Sequence, residues 1–253
     1  MKYPKSLLPL YLTLSVSGSM SLTVMAQDVP YSQTPINIDG QLTENAWQQA
    51  TWHKLEHHIV GTVPTPEDFS GQYKLLWDEQ YLYLAAKITD DILFDQFANP
   101  LERYWDDDCL EVFLDEDNSG GEHQFNFNAF AYHIALDNQA VDIGSEKNGE
   151  AEFILLNEHV NSVWQRQSEA PHEVIWEVAI EIHNDKFLPN TNTDSRVTLS
   201  ENKTLGFMLA YCDNDGSSER EHFMGSHAIK PINGDKNLGY KTADVFGRLK
   251  LVK

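Results

Sequence analysis

Tyr73-Lys74-Leu75-Leu76-Trp77-Asp78-Glu79-Gln80-Tyr81-Leu82-Tyr83-Leu84-Ala85-Ala86-Lys87-Ile88 reads as two apolar strands joined by a turn. Asp78-Glu79-Gln80 supplies the turn, and the aromatic and aliphatic residues on either side favour a pleated, buried surface. The same character spreads outward along the chain. Leu110, Val112 and Leu114 alternate with Glu111, Phe113 and Asp115. Phe125, Phe127 and Ala129 alternate with Gln124, Asn126 and Asn128. Residues 174–182, 205–211 and 249–252 alternate again. Period-2 patterns of this kind predict half-buried strands with one polar face. Helical periodicity is nearly absent; residues 43–50, with Thr43 as N-cap, predict one short helix. Many short strands separated by turn signals predict an all-β fold, a two-sheet antiparallel β-sandwich of jelly-roll-like type.

The first residues carry a different signal. Lys2 and Lys5 precede a mostly apolar stretch, and Val24-Met25-Ala26 offers a cleavage site before Gln27. That is the layout of a signal peptide over 1–26, so the sequence predicts an exported protein, periplasmic or secreted. Residues 27–253 then form one domain, with no linker, repeat or low-complexity tract inside it. Ser15, Ser17, Gly18, Ser19 and Ser21 break any apolar span long enough for a membrane anchor.

Of 253 residues, 39 are acidic and 18 basic, a net charge of −21. Such a surface repels phosphate backbones and anionic headgroups, so nucleic acid and membrane surfaces are poor partners. Cation binding and neutral polar ligands suit it better. Export would put Cys109 and Cys212 in an oxidising compartment. Sequence spacing gives no Cα separation, so a bridge and two small buried thiols are both open readings.

Catalytic signatures are missing. There is no Gly-x-Ser-x-Gly elbow, phosphate-binding loop, His-Glu-x-x-His or Cys-x-x-Cys. The informative stretch is Trp105-Asp106-Asp107-Asp108-Cys109-Leu110-Glu111-Val112-Phe113-Leu114-Asp115. Three acids make a poor core element, so Trp105 is expected in a loop at the mouth of a strand. An exposed indole face packs well on the C–H face of a sugar, while amides and carboxylates hold its hydroxyls. Gln124, Asn126 and Asn128 read as a second polar face on a strand, although ordinary solvation explains them as well.

These residues resemble the carbohydrate-binding modules of family 9, often attached to xylanases. The resemblance runs through Ile36-Asn37-Ile38-Asp39-Gly40, Glu44-Asn45-Ala46-Trp47, Leu76 to Leu84, Ile88-Thr89-Asp90, Trp105, Asp108, Glu111, Gln124-Phe125, Asp213, Arg220 and Phe246-Gly247-Arg248-Leu249-Lys250-Leu251. It implies non-catalytic capture of a terminal sugar of an oligo- or polysaccharide between two aromatic rings, in a system of glycoside hydrolases acting on substrates such as xylan. Trp105 matches the first ring and Tyr240 stands where the second would be. Glu111 and Asn237 match hydroxyl-binding positions, and Gln124 belongs to the same set. The family's binding Arg is Asn126 here, and a binding Gln is Ala210. The resemblance also implies structural calcium. Asp115 and Asp117, in an acidic Gly-bearing turn, and Asp90 at a strand end are the expected ligands.

Two alternatives stay open. One is a non-covalent haem or redox module using Met208, Met224, His222 or His227. The other is a glycosidase using Glu111 and Asp108.

Overall fold

The computed structural model describes residues 25–168, 172–191 and 193–253. The predicted signal peptide lies almost wholly outside the described residues. Among those residues, no helix is long and apolar enough to cross a membrane.

Among the described residues, fourteen strands form two sheets: β1 (Gln27–Pro30), β2 (His53–Leu55), β3 (His57–Gly61), β4 (Phe69–Trp77), β5 (Leu82–Asp90), β6 (Cys109–Asp115), β7 (Phe130–Ala135), β8 (Ala140–Lys147), β9 (Glu150–Leu155), β10 (Val160–Arg166), β11 (Val174–Ile180), β12 (Thr204–Asp213), β13 (His222–Gly225) and β14 (Gly247–Val252). The larger sheet runs β1-β14-β12-β6-β7-β8-β9, with β13 joining β12 to β3. The smaller runs β10-β11-β5-β4-β2. The expected all-β sandwich is therefore present. Pairing is antiparallel except between β1 and β14.

The β4–β5 hairpin forms as read. Asp78 Oδ1 accepts the N–H groups of Gln80 (2.8 Å) and Tyr81 (2.9 Å), which closes the turn. Strand alternation then builds the layers. Leu110, Val112 and Leu114 of β6, Phe130, Tyr132 and Ile134 of β7, and Phe207, Leu209 and Tyr211 of β12 point into the core between the sheets. Cys109, Phe113, Ala131, Met208, Ala210 and Cys212, on the opposite face, make a second apolar cluster. The half-exposed polar face expected for β6 is thus absent: all seven residues are buried. The chain after β13 lies over this outer face. Gly239 permits the close approach, since a Cβ there would sit 2.7 Å from Met208 Cε and 2.9 Å from Phe113 Cε1.

The outer face of the smaller sheet is covered by the segment before β2. Glu177 on β11 accepts the backbone N–H groups of Asp39, Gly40 and Gln41 on Oε2 and the Trp47 indole N–H (2.9 Å) on Oε1. The short helix expected over 43–50 is a 3-10 turn, Asn45–Gln49, with Glu44 rather than Thr43 as N-cap and no side-chain cap bond. Burial of Ala46 and Trp47 against the sheet fixes this segment.

The strand expected around residues 124–129 is also absent. This stretch is a succession of turns, and the strand begins at Phe130. Asn126 donates to the Glu122 carbonyl (3.2 Å) and accepts from Asn128 N–H (2.9 Å). Asn128 donates to the Gly120 carbonyl (2.7 Å). Asn side chains bonding their own backbone compete with a strand ladder.

Candidate functional site

The acidic run before β6 is buried and organises the loop that carries Trp105. Asp106 accepts from Arg103 Nε (3.0 Å) and Nη2 (2.8 Å). Asp107 accepts the N–H groups of Gln96 and Phe97. Asp108 accepts those of Phe94 (2.6 Å) and Asn214 (2.8 Å). The three carboxylates thus brace the long β5–β6 connection and tie it to the β12–β13 loop, and Trp105 projects from a 3-10 turn, Tyr104–Asp106. Its ring is half-buried, edge-on to Tyr104 (centroids 5.1 Å) and tilted against Phe153 of β9 (5.8 Å).

Trp105 borders a cavity of about 390 Å³ on the outer face of the larger sheet. Tyr240, Glu111, Gln124 and Asn237 line it too, so five of the six expected ligand-binding residues meet in one place. Asn126 does not line it. Its side chain is spent on the turn described above. Tyr240 is half-buried, and Lys241 Nζ lies 4.9 Å from its ring centre. His123 anchors the Tyr240 loop, its Nε2 standing 2.8 Å from the Gly239 carbonyl oxygen.

Glu111 forms the floor. Its Oε1 is approached by His133 Nε2 (2.6 Å), by Arg220 Nη1 (3.1 Å) and by the Cys212 thiol (3.0 Å). Burial alone would raise this carboxyl, but His133 and Arg220 outweigh it and hold it below its ordinary value. Among the described residues no hydrogen bond reaches Glu111 Oε2. Arg220 packs over Phe223, 4.2 Å from the ring centre, and it uses only Nη1 for Glu111 and Cys212. The guanidinium thus enters the cavity from the loop before β13, whereas sequence reading looked for it at residue 126.

Among the other residues lining the cavity, Tyr104, His133, Asp142 and Phe153 escaped the sequence reading. His133 is the direct partner of Glu111 across β6 and β7. Asp142 accepts the N–H groups of Ala131 (3.0 Å) and Ile143 (2.7 Å), and burial pushes it up to about 7. A lone acid within Ala140-Val141-Asp142-Ile143 was the available signal.

The chain belongs to the carbohydrate family 9 binding domain-like family. The profile of that family of carbohydrate-binding domains matches residues 38–253. Endo-1,4-beta-xylanase A of Thermotoga maritima is 32% identical over 108 residues, 43% of this chain and 9% of that protein. Endo-1,4-beta-xylanase C of Paenibacillus barcinonensis is 26% identical over 219 residues, 85% of this chain and 16% of that protein. This chain therefore matches only a small part of each xylanase. A family 9 carbohydrate-binding module from Caldicellulosiruptor kristjanssonii, solved with cellotriose, shares the fold. Its TM-score is 0.63 at 17% identity, over 90% of this chain and 94% of that one.

The family 9 resemblance implies calcium, and the acidic side chains fall in two places. Asp115 and Asp117, at the far end of β6, spend oxygens on their own turn: Asp115 accepts from Asp117 N–H (3.3 Å) and Gly120 N–H (2.8 Å), and Asp117 from Ser119 N–H (3.0 Å). They do not join Asp90. Asp90 gathers instead with Asp108 and Asp213, candidate oxygens within 4.8 Å of one another, beside Asp68, Asp91 and Asp215. Asp90 Oδ1 and both Asp213 oxygens are buried without a hydrogen bond. Burial and mutual repulsion push Asp90 up to about 7, Asp213 to about 8 and Asp108 to about 9. Orphaned, buried carboxylate oxygens in a convergent set suit a hard divalent cation.

The alternative ligand sets do not converge. Met208 and Met224 sit in different apolar clusters. His222 Nδ1 lies 2.8 Å from the Thr62 carbonyl oxygen and its Nε2 3.0 Å from Asp68, while His227 Nδ1 lies 2.8 Å from Ser226 Oγ. Each Asp108 oxygen accepts one backbone N–H, and Asp108 does not line the cavity with Glu111.

Proposed function

We propose that this chain is a non-catalytic module that captures the terminal sugar of an oligo- or polysaccharide. The observation that carries the reading is that Trp105 and Tyr240, far apart in sequence, border one cavity floored by Glu111. The two rings take the C–H faces of a pyranose, and a cavity of this size lies within the range used for small ligands. Glu111 Oε2 accepts hydroxyl hydrogens. Gln124 and Asn237 donate or accept, and the free edge of Arg220 donates. The cellotriose-bound neighbour supports a β-glucan-type ligand, and the xylanase relatives support a role beside glycoside hydrolases acting on xylan or cellulose.

Binding is favoured over hydrolysis by the state of the two cavity carboxyls. A glycosidase needs one carboxyl free to protonate the leaving oxygen and another to act on the sugar. Asp142 gives both oxygens to backbone N–H groups, and Glu111 Oε1 already meets three donors.

Asp90, Asp108 and Asp213 would hold a structural calcium, which would neutralise the acids behind the Trp105 loop. Export of the module rests on the sequence of residues 1–26. Titration with cello- and xylo-oligosaccharides, followed by tryptophan fluorescence, tests the proposal. A saturable change that Trp105→Ala abolishes is expected; no response to any oligosaccharide refutes it.

A further inference from the structure

Cys109 and Cys212 are direct partners in the antiparallel β6–β12 ladder. Opposed residues in such a ladder have Cα atoms about 4.5 to 5.5 Å apart, inside the window that a disulfide spans. Their sulfurs lie within 4.8 Å of each other, and both side chains are buried with no solvent exposure on the same face of the sheet. The thiols also sit directly beneath the cavity floor, where Cys212 donates to Glu111 Oε1 (3.0 Å) and accepts from Arg220 Nη1 (3.0 Å).

We infer that Cys109 and Cys212 form a cross-strand disulfide in the mature protein, a covalent rung that locks β6 to β12 under the cavity. The reaction is thiol–disulfide exchange with an oxidised dithiol or glutathione disulfide. One thiolate attacks the oxidant's S–S bond to give a mixed disulfide, and the second thiolate displaces the oxidant's sulfur. The two thiols lose two electrons and two protons, and the oxidant leaves as two thiols.

Neither side chain has any solvent exposure, so an oxidant reaches the sulfurs only before the fold has closed. The rung therefore forms while the chain folds, before the Tyr240 loop seals the face. Its loop spans nearly the whole distance from the Trp105 segment to the end of β12, a long closure that removes much entropy from the unfolded chain. The bridge also takes the hydrogen that Cys212 gives Glu111, leaving Oε1 to His133 and Arg220. This inference goes beyond the sugar-binding reading and does not depend on it.

The experiment is refolding of the full chain in a glutathione redox buffer, followed by denaturation, alkylation with iodoacetamide and intact-mass measurement. The expected product carries no alkyl group and weighs two hydrogens less than the dithiol. Reduction should lower its Tm by roughly 5 to 15 °C. The double variant Cys109→Ala/Cys212→Ala, which needs no bridge to pack, should show a Tm indifferent to reductant. Two alkylated thiols in a protein with native circular dichroism would overturn the inference. So would thiols shielded from alkylation only when zinc is added, since Cys109, Glu111 and Cys212 would then be metal ligands.

Discussion

His133 Nε2 and Glu111 Oε1 are 2.6 Å apart on neighbouring strands, and Arg220 reaches the same oxygen at 3.1 Å. A buried carboxylate is stable here because two nitrogen groups and a thiol compensate it. Removing one partner from such a set is costlier than the set's own contribution, since the others are left uncompensated. Glu111→Gln should lower the Tm by roughly 10 °C. It should also abolish detectable sugar binding at temperatures where the variant is folded. Circular dichroism melts and calorimetric titration check the two effects separately.

Asn126 supports a turn and lies outside the cavity. Asn126→Ala should leave oligosaccharide affinity within about twofold while lowering stability by about 1 kcal/mol, the usual size of a lost local hydrogen bond. Asn237→Ala, by contrast, should weaken binding by about fivefold or more. Paired titrations of the two variants distinguish a scaffolding amide from a contacting one.

That contrast marks where the sequence was legible and where it was not. The β4–β5 hairpin, the β6 and β12 alternation and the Trp105 loop all follow from local pattern, because strand period and turn chemistry are local properties. Residues 124–129 alternate just as cleanly, yet Asn126 and Asn128 bond their own backbone and cancel the ladder. The burial of β6 on both faces was hidden, since its cover arrives from residues after β13. His133 and Asp142 were missed, and Arg220 was noted without a role in the site, for the same reason: only sheet register and loop packing bring them to Glu111. The acids 106–108 read as a poor core element. They are buried because backbone N–H groups from earlier in the same connection, and from Asn214 across the fold, satisfy them.

Asp142 gives the protein a pH signature. An unfolded Asp titrates near 3.8, and burial pushes this one up to about 7. Between these values the folded state holds a proton that the unfolded state has lost, so stability falls as pH rises from about 4 to about 7. Asp142→Asn cannot ionise, so its Tm should fall less steeply than wild type across that window, by a few degrees. An identical slope in both proteins would show that Asp142 is ionised throughout.

The Asp90, Asp108 and Asp213 cluster should respond to calcium. At a concentration a hundredfold above Kd, a ligand bound only by the folded state adds about 2.7 kcal/mol, or roughly 5 to 10 °C in Tm for a domain of this size. Calcium added to chelator-treated protein should give that shift, and Asp213→Asn should remove it. Asp117→Asn should not, because Asp117 belongs to the separate turn. A melt that ignores calcium would remove the metal from the account.

The central claim concerns the two aromatic rings at the cavity, and calorimetric titration of cellotriose into wild type, Trp105→Ala and Tyr240→Ala tests it most directly. Loss of either ring should weaken binding by roughly tenfold or more, with native folding retained. Equal affinity in all three proteins, or binding that survives loss of both rings, would contradict it.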